Sequence, residues 1–166
     1  MAYRNKVYVS FDADSDIRYY YLMRAWKQSD NSDFNFYDAH DINNCYDKSE
    51  ESIKASLQER FRNSKAFVLL VGQHTRYLYK FVRWEIEQAI KRDLPIIVVY
   101  LDGSRNINTD LCPPILKDEL AVHISFNQKI LQHALENWPG YSESVKKEGK
   151  TGPYYYGEHV YKSLGL

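Results

Sequence analysis

Cysteine is nearly absent from this chain of 166 residues: the two present, Cys45 and Cys112, stand apart, with no CxxC pair and no Cys/His spacing. A disulfide framework and a cysteine-based zinc site are therefore not signalled, no metal is expected, and the pattern suits a reduced, cytoplasmic protein. Glycine is scarce where a nucleotide loop would need it. Only Gly72 and Gly103 precede Gly140, so neither a GxGxxG turn nor a Walker loop can form. An excess of one charge is lacking too. Lys and Arg total 22 and Asp and Glu total 22, with no long basic run, which argues against nucleic acid and anionic lipid as partners. No apolar run approaches the length of a membrane span, and the apolar part of the N-terminal MAYRNKVYVSFDAD is too short for a signal peptide.

What is present is a core: 44% hydrophobic content in a chain of single-domain length. The organising stretch runs from Ser64 to Gly103. Ala66–Val71 (AFVLLV) and Pro95–Leu101 (PIIVVYL) are continuous apolar runs rich in β-branched residues, the pattern of strands covered on both faces in a parallel sheet. Parallel neighbours need a crossover, so the segment between them is read as a helix. Leu78, Val82, Ile86, Ala89 and Ile90 fall on one stripe of it, and Lys80, Arg83, Glu87 and Lys91 fall opposite. Glu87 has Arg83 four residues before it and Lys91 four after, and reads as part of a solvated ion-pair ladder. Glu85 differs: Phe81 and Ala89 occupy those positions, and it lies at the edge of the apolar stripe. A carboxylate there is costly to bury unless something cationic meets it. In open parallel sheets ligands gather outside the carboxyl ends of the strands.

The run Phe81-Val-Arg-Trp-Glu85-Ile resembles the aromatic-Val-x-x-Glu-Ile signature on the third helix of TIR domains. With Glu87, Ala89, Ile90 and the following Pro-Ile-Ile-Val-Val, it is more similar to the bacterial TIR-like branch of the Thoeris anti-phage system. Two positions depart from the signature: Phe81 stands where tryptophan is common, and Tyr79 where a small serine often precedes it. The resemblance spans roughly residues 4 to 138. It implies a flavodoxin-like α/β fold with a five-stranded parallel sheet in the order 2-1-3-4-5 and helices on both faces. It also implies that Glu85 is catalytic, that NAD is a substrate rather than a bound cofactor, and that no other cofactor is needed. The product implied is a cyclic ADP-ribose isomer, a diffusible cyclic nucleotide that activates a separate effector protein, with homo-oligomer formation on activation.

Along the chain, Lys6–Phe11 reads as a first strand, followed by Asp12, Asp14, Ser15 and Asp16 as turn and helix N-cap. Its Ser-Phe ending resembles the TIR start, whose following loop lies beside the pocket, which makes Phe11 and Asp12 candidate wall residues. The helix after it is expected to carry Tyr19, Leu22, Ala25 and Trp26 on one face. Phe34–Tyr37 is read as a short edge strand. Residues 38–48 form a polar loop at the position where TIR domains border the cleft; His40 and Asp41 there either face substrate or are simply solvated. Ser49 opens a helix with Ile53, Leu57 and Phe61 as its inner face, and Trp84 is a further candidate wall residue. Gly72 lets the backbone approach a ligand, or merely turn. Ala121–Ser125 is the fifth strand, and the last helix, with Ile130, Leu131, Ala134, Leu135 and Trp138, is expected to stop at Pro139. The TIR-like domain is accordingly placed at 1–138. Residues 139–166, with five of the seven glycines and the Tyr154-Tyr-Tyr run, form an extension expected to pack on the same domain.

The nicotinamide of NAD is a cationic leaving group, so its departure needs no general acid and one carboxylate can suffice. The competing reading is a non-catalytic TIR adaptor acting by homotypic association, with Glu85 a helix-surface acid. A phosphorelay receiver is excluded, since Gly72-Gln-His stands where the phosphoacceptor aspartate would be.

Overall fold

The computed structural model describes residues 6–29, 37–38 and 49–166. Six strands form a single sheet in the order β2-β1-β3-β4-β5-β6, and every neighbouring pair is parallel. They are β1 (Lys6–Ser10), β2 (Tyr37–Asp38), β3 (Ala66–Val71), β4 (Ile96–Tyr100), β5 (Ala121–Ser125) and β6 (Pro153–Tyr155). The helices are α1 (Ile17–Gln28), α2 (Glu50–Arg62), α3 (Val82–Lys91), α4 (Gln128–Lys147) and α5 (Glu158–Ser163).

The apolar runs behave as their composition demands. Every residue of β3, β4 and β5 is buried, because both faces are covered. Val68 and Leu70 point with Val7 and Val9 into a cluster closed by α1, α4 and Tyr161 of α5. Phe67, Leu69 and Val71 point the other way, with Tyr8, into a cluster closed by α2 and α3. This two-sided alternation, period two along each strand, sets which face each β1 side chain serves.

Four expectations are corrected. The sheet has six strands rather than five, because Val122 of β5 pairs with Tyr154; the added strand is three residues long and starts with proline, too short to show a period. The helix expected to end at Pro139 runs on to Lys147. A proline inside a helix loses one hydrogen bond at a cost of about 3 kcal/mol, and here Ser142 and Val145 beyond it are buried, which offsets that loss. The boundary drawn between residues 138 and 139 thus falls inside α4, and β6 and α5 belong to the same sheet and core. In α1 the buried residues are Tyr20 and Met23, while Leu22 is exposed; Tyr19 and Trp26 flank them against Phe126. The strand at Tyr37 is present, but Phe34, His40, Asp41 and Cys45 lie outside the described residues.

Candidate active site

The site is built where β1 ends, β3 ends and α3 begins. After β3, Gly72 donates its N–H to the Thr75 hydroxyl at 2.9 Å, and a short 3-10 turn, Thr75–Tyr77, leads to α3. A side chain at Gly72 would force Asp16 to shift, since a Cβ there would sit 2.4 Å from Asp16 Oδ2. The close approach is to a side chain at the start of α1. Asp16 is itself buried, and burial, reinforced by the charge of Asp12, holds its carboxyl above the usual range.

Glu85 lies in the first turn of α3 and is 5% exposed. The Tyr8 hydroxyl donates to Glu85 Oε2, and the Ser10 hydroxyl donates to Oε1 at 3.1 Å. Tyr8 and Ser10 share a face of β1 because they are two residues apart. The Tyr8 ring is stacked on Phe61 of α2, with centroids 3.9 Å apart. Each carboxylate oxygen therefore accepts a bond from β1, and the donors are held by packing. Burial raises the Glu85 pKa to about 7, against the lowering influence of the Tyr8 and Ser10 hydrogen bonds and the positive charge of Arg60. The group is poised between its two protonation states at neutral pH, as a catalytic carboxylate in a dry site would be.

Glu85 opens onto a cleft of about 570 Å³, within the range of small-molecule sites. Phe11 and Asp12 line the same cleft. Phe11 is stacked on Tyr20 at 4.9 Å, and Asp12 Oδ1 accepts from the Asp14 and Ser15 amides at 3.1 and 3.3 Å, which fixes the turn after β1. Trp84 does not line it, and its assignment as a wall residue is corrected. One residue along a helix is a rotation of 100°, so while Glu85 faces β1, Trp84 faces α2, edge-on to Phe61 at 6.2 Å and under the Lys54 ammonium at 5.7 Å. His40 lies outside the described residues. Glu87 forms the exposed pair with Arg83, at 3.1 Å.

Sequence reasoning missed Tyr77, Tyr79 and Lys80, which line the same cleft. The two tyrosines are 60% and 63% exposed, and Lys80 pairs with Glu50 at 3.5 Å. Exposed aromatics interleaved with Arg76 and Lys80 directly after a buried strand were the available signal. Tyr8 and Ser10 were missed because their role depends on a partner 77 and 75 residues away. Among the described residues no group of three or more His, Cys, Asp or Glu side chains is placed to hold a metal ion, and no helix is long and apolar enough to cross a membrane.

The family model described as Thoeris protein ThsB, TIR-like domain, matches residues 8–106. The chain belongs to this family. The ThsB TIR-like match begins at Tyr8 and takes in Ser10, Phe11, Asp12 and Glu85, so every described member of the cleft lies within it. It ends before β5, and α4, β6 and α5 lie beyond it. A crystal structure of a conserved protein from Enterococcus faecalis V583 is similar to this ThsB-family chain at 19% identity over 98% of each chain, with a TM-score of 0.48.

Proposed function

We propose that this ThsB-family protein cleaves the nicotinamide–ribose bond of NAD at Glu85 and releases a cyclic ADP-ribose isomer, an anti-phage defence signal read by a separate effector. One observation carries the reading: a single buried carboxylate, held at both oxygens by β1, faces a nucleotide-sized cleft with aromatic walls and one lysine. As the bond from the ribose carbon to the nicotinamide nitrogen breaks, the electron pair leaves with nicotinamide and neutralises its charge. The ribosyl cation left behind develops against the Glu85 carboxylate, whose attraction is strengthened by its burial. Tyr77, Tyr79 and Phe11 offer ring faces for the bases, and Lys80 offers charge for the pyrophosphate. Attack by an adenosine hydroxyl or ring nitrogen, with loss of a proton where the acceptor is a hydroxyl, closes the cyclic product; attack by water, also with loss of a proton, gives ADP-ribose.

The test is chromatography of NAD incubated with wild type, Glu85→Gln and Glu87→Gln under activating conditions. Glu85→Gln keeps the size of the side chain but removes the charge, so nicotinamide release should fall at least about a hundredfold. Glu87→Gln removes an exposed i,i+4 pair and should leave the rate unchanged. Equal loss in both variants, or full activity in Glu85→Gln, would overturn the assignment; no turnover by wild type in any condition would favour the adaptor reading.

A further inference from the structure

A second cavity lies across the sheet from the cleft, in the part of the chain beyond the family match. Its volume is about 450 Å³, and it is built between α4, β6 and the start of α5. Four of the chain's 15 tyrosines line it, Tyr141 from α4 and the consecutive Tyr154, Tyr155 and Tyr156, together with Trp138. The rings are set at angles to one another: Trp138 to Tyr154 at 5.6 Å, Tyr141 edge-on to Tyr154 at 6.0 Å. Tyr141 and Tyr155 are 56% and 62% exposed, which leaves aromatic surface open to a visitor. Single exposed aromatics need no explanation, but a concave group of them does.

The polar groups narrow the chemistry. Trp138 is 2% exposed, and its indole N–H and the Tyr156 hydroxyl are buried, out of reach of anything seated in the cavity. Asn137, His133 and His159 supply the polar lining. Among the described lining residues there is no lysine, arginine, aspartate or glutamate, and the acid that follows the wall, Glu158, is paired with Arg105 at 2.8 Å. Lys150, the cation beside Tyr141 and Tyr154, is paired with Glu148 at 2.8 Å, and a quaternary ammonium would use the ring faces but leave the polar edge groups unmet. A flat, uncharged heterocycle would find ring faces to stack on and donors and acceptors for its edge.

We propose that this cavity binds a nucleobase, presented as a free base or nucleoside rather than as a nucleotide or a nucleic acid strand, at a site separate from the Glu85 cleft. The C-terminal segment then has a ligand-binding role as well as a packing one.

The test uses calorimetric titration of the full chain with adenosine, AMP, choline and a short oligodeoxyadenylate. The cleft is disabled in all samples by Tyr77→Ala/Tyr79→Ala, both exposed positions. Adenosine should bind at one site. Tyr141→Ala should weaken it at least about tenfold, since base stacking on one ring contributes about 1–3 kcal/mol, and Tyr141→Phe should restore it. Because Tyr141 is half-exposed, its replacement should leave the unfolding transition in place, and His133→Ala serves as a second probe of the same wall. AMP should bind no tighter than adenosine, and choline should not compete. The proposal fails if adenosine gives no saturable heat, if binding is indifferent to both Tyr141→Ala and His133→Ala, or if choline displaces it. Binding of AMP or the oligonucleotide more than tenfold tighter than adenosine would equally overturn it, since phosphate would then be recognised.

Discussion

Replacing Tyr8 by Phe removes one oxygen atom from the centre of the protein and leaves the ring stacked on Phe61, so the variant should fold as wild type does. What changes is the electrostatics of Glu85, which loses the bond donated to Oε2 and keeps the one from Ser10. A hydrogen bond to a charged group contributes about 1.5–3 kcal/mol. At 1.36 kcal/mol per pKa unit, the Glu85 pKa should climb by about one to two units. It starts at about 7, so it should end between about 8 and 9. At pH 7 the ionised fraction then falls from about one half to between about 1% and 10%, and NAD cleavage should fall about 5- to 50-fold. At pH 9 the variant should come back to within about twofold of wild type, because about half or more of the carboxyl is ionised again. The measurement is the pH profile of nicotinamide release for both proteins between pH 5.5 and about 9.5. An unshifted midpoint, or a deficit of the same size at every pH, would refute the claim that Tyr8 acts on the protonation of Glu85.

Glu85 also makes stability depend on pH. Because the folded-state pKa of Glu85 stands at about 7, above its ordinary 4.5, the folded protein holds the proton more tightly than the unfolded chain. Stability from this group is therefore fully present below about pH 4.5 and is lost as pH rises through 7, by about 3 kcal/mol. Urea unfolding at pH 5 and pH 8 should accordingly show Glu85→Gln gaining on wild type at the higher pH, and a pH-independent difference would contradict it. Gly72→Ala puts a methyl group 2.4 Å from Asp16 Oδ2 and should cost about 1–3 kcal/mol; adding Asp16→Ala should return most of the loss in thermal melts, and no recovery would place the strain elsewhere. Lys80→Ala should raise the KM for NAD about three- to tenfold with little change in kcat, as expected for an exposed charge that binds substrate and transition state alike; a fall in kcat instead would move Lys80 into the chemical step.

What could be read from the sequence was whatever a local pattern decides. The unbroken runs of β3 and β4 admit only strands buried on both faces, and the ion-paired setting of Glu87 against the apolar setting of Glu85 separated two acids two residues apart. The misreadings arose where a distant contact overrides a local rule. Pro139 is a helix breaker by propensity, yet buried Ser142 and Val145 carry α4 past it. Trp84 adjoins Glu85 in sequence and faces another helix in space. The hydroxyls of Tyr8 and Ser10 look like any strand residues until α3 is set across β1, and nothing within 70 residues of them shows that. Tyr20 and Met23 rather than Leu22 face inward because α1 is rotated to meet the sheet and Phe126 at once.

Where the sheet stops has a practical consequence for anyone shortening this protein. The family match ends at residue 106 and the expected domain at 138, which tempts one to cut there. A cut at 138 keeps β5 but removes the three-residue border that covers it, together with Tyr161, whose hydroxyl accepts the Ser125 amide at 3.3 Å. It would bare one side of a strand whose every residue is buried, and unpaired apolar borders recruit other chains. The shortened protein should therefore fail by clumping as its concentration rises, well before its interior melts, and light scattering would register the damage that a dilute melting curve overlooks.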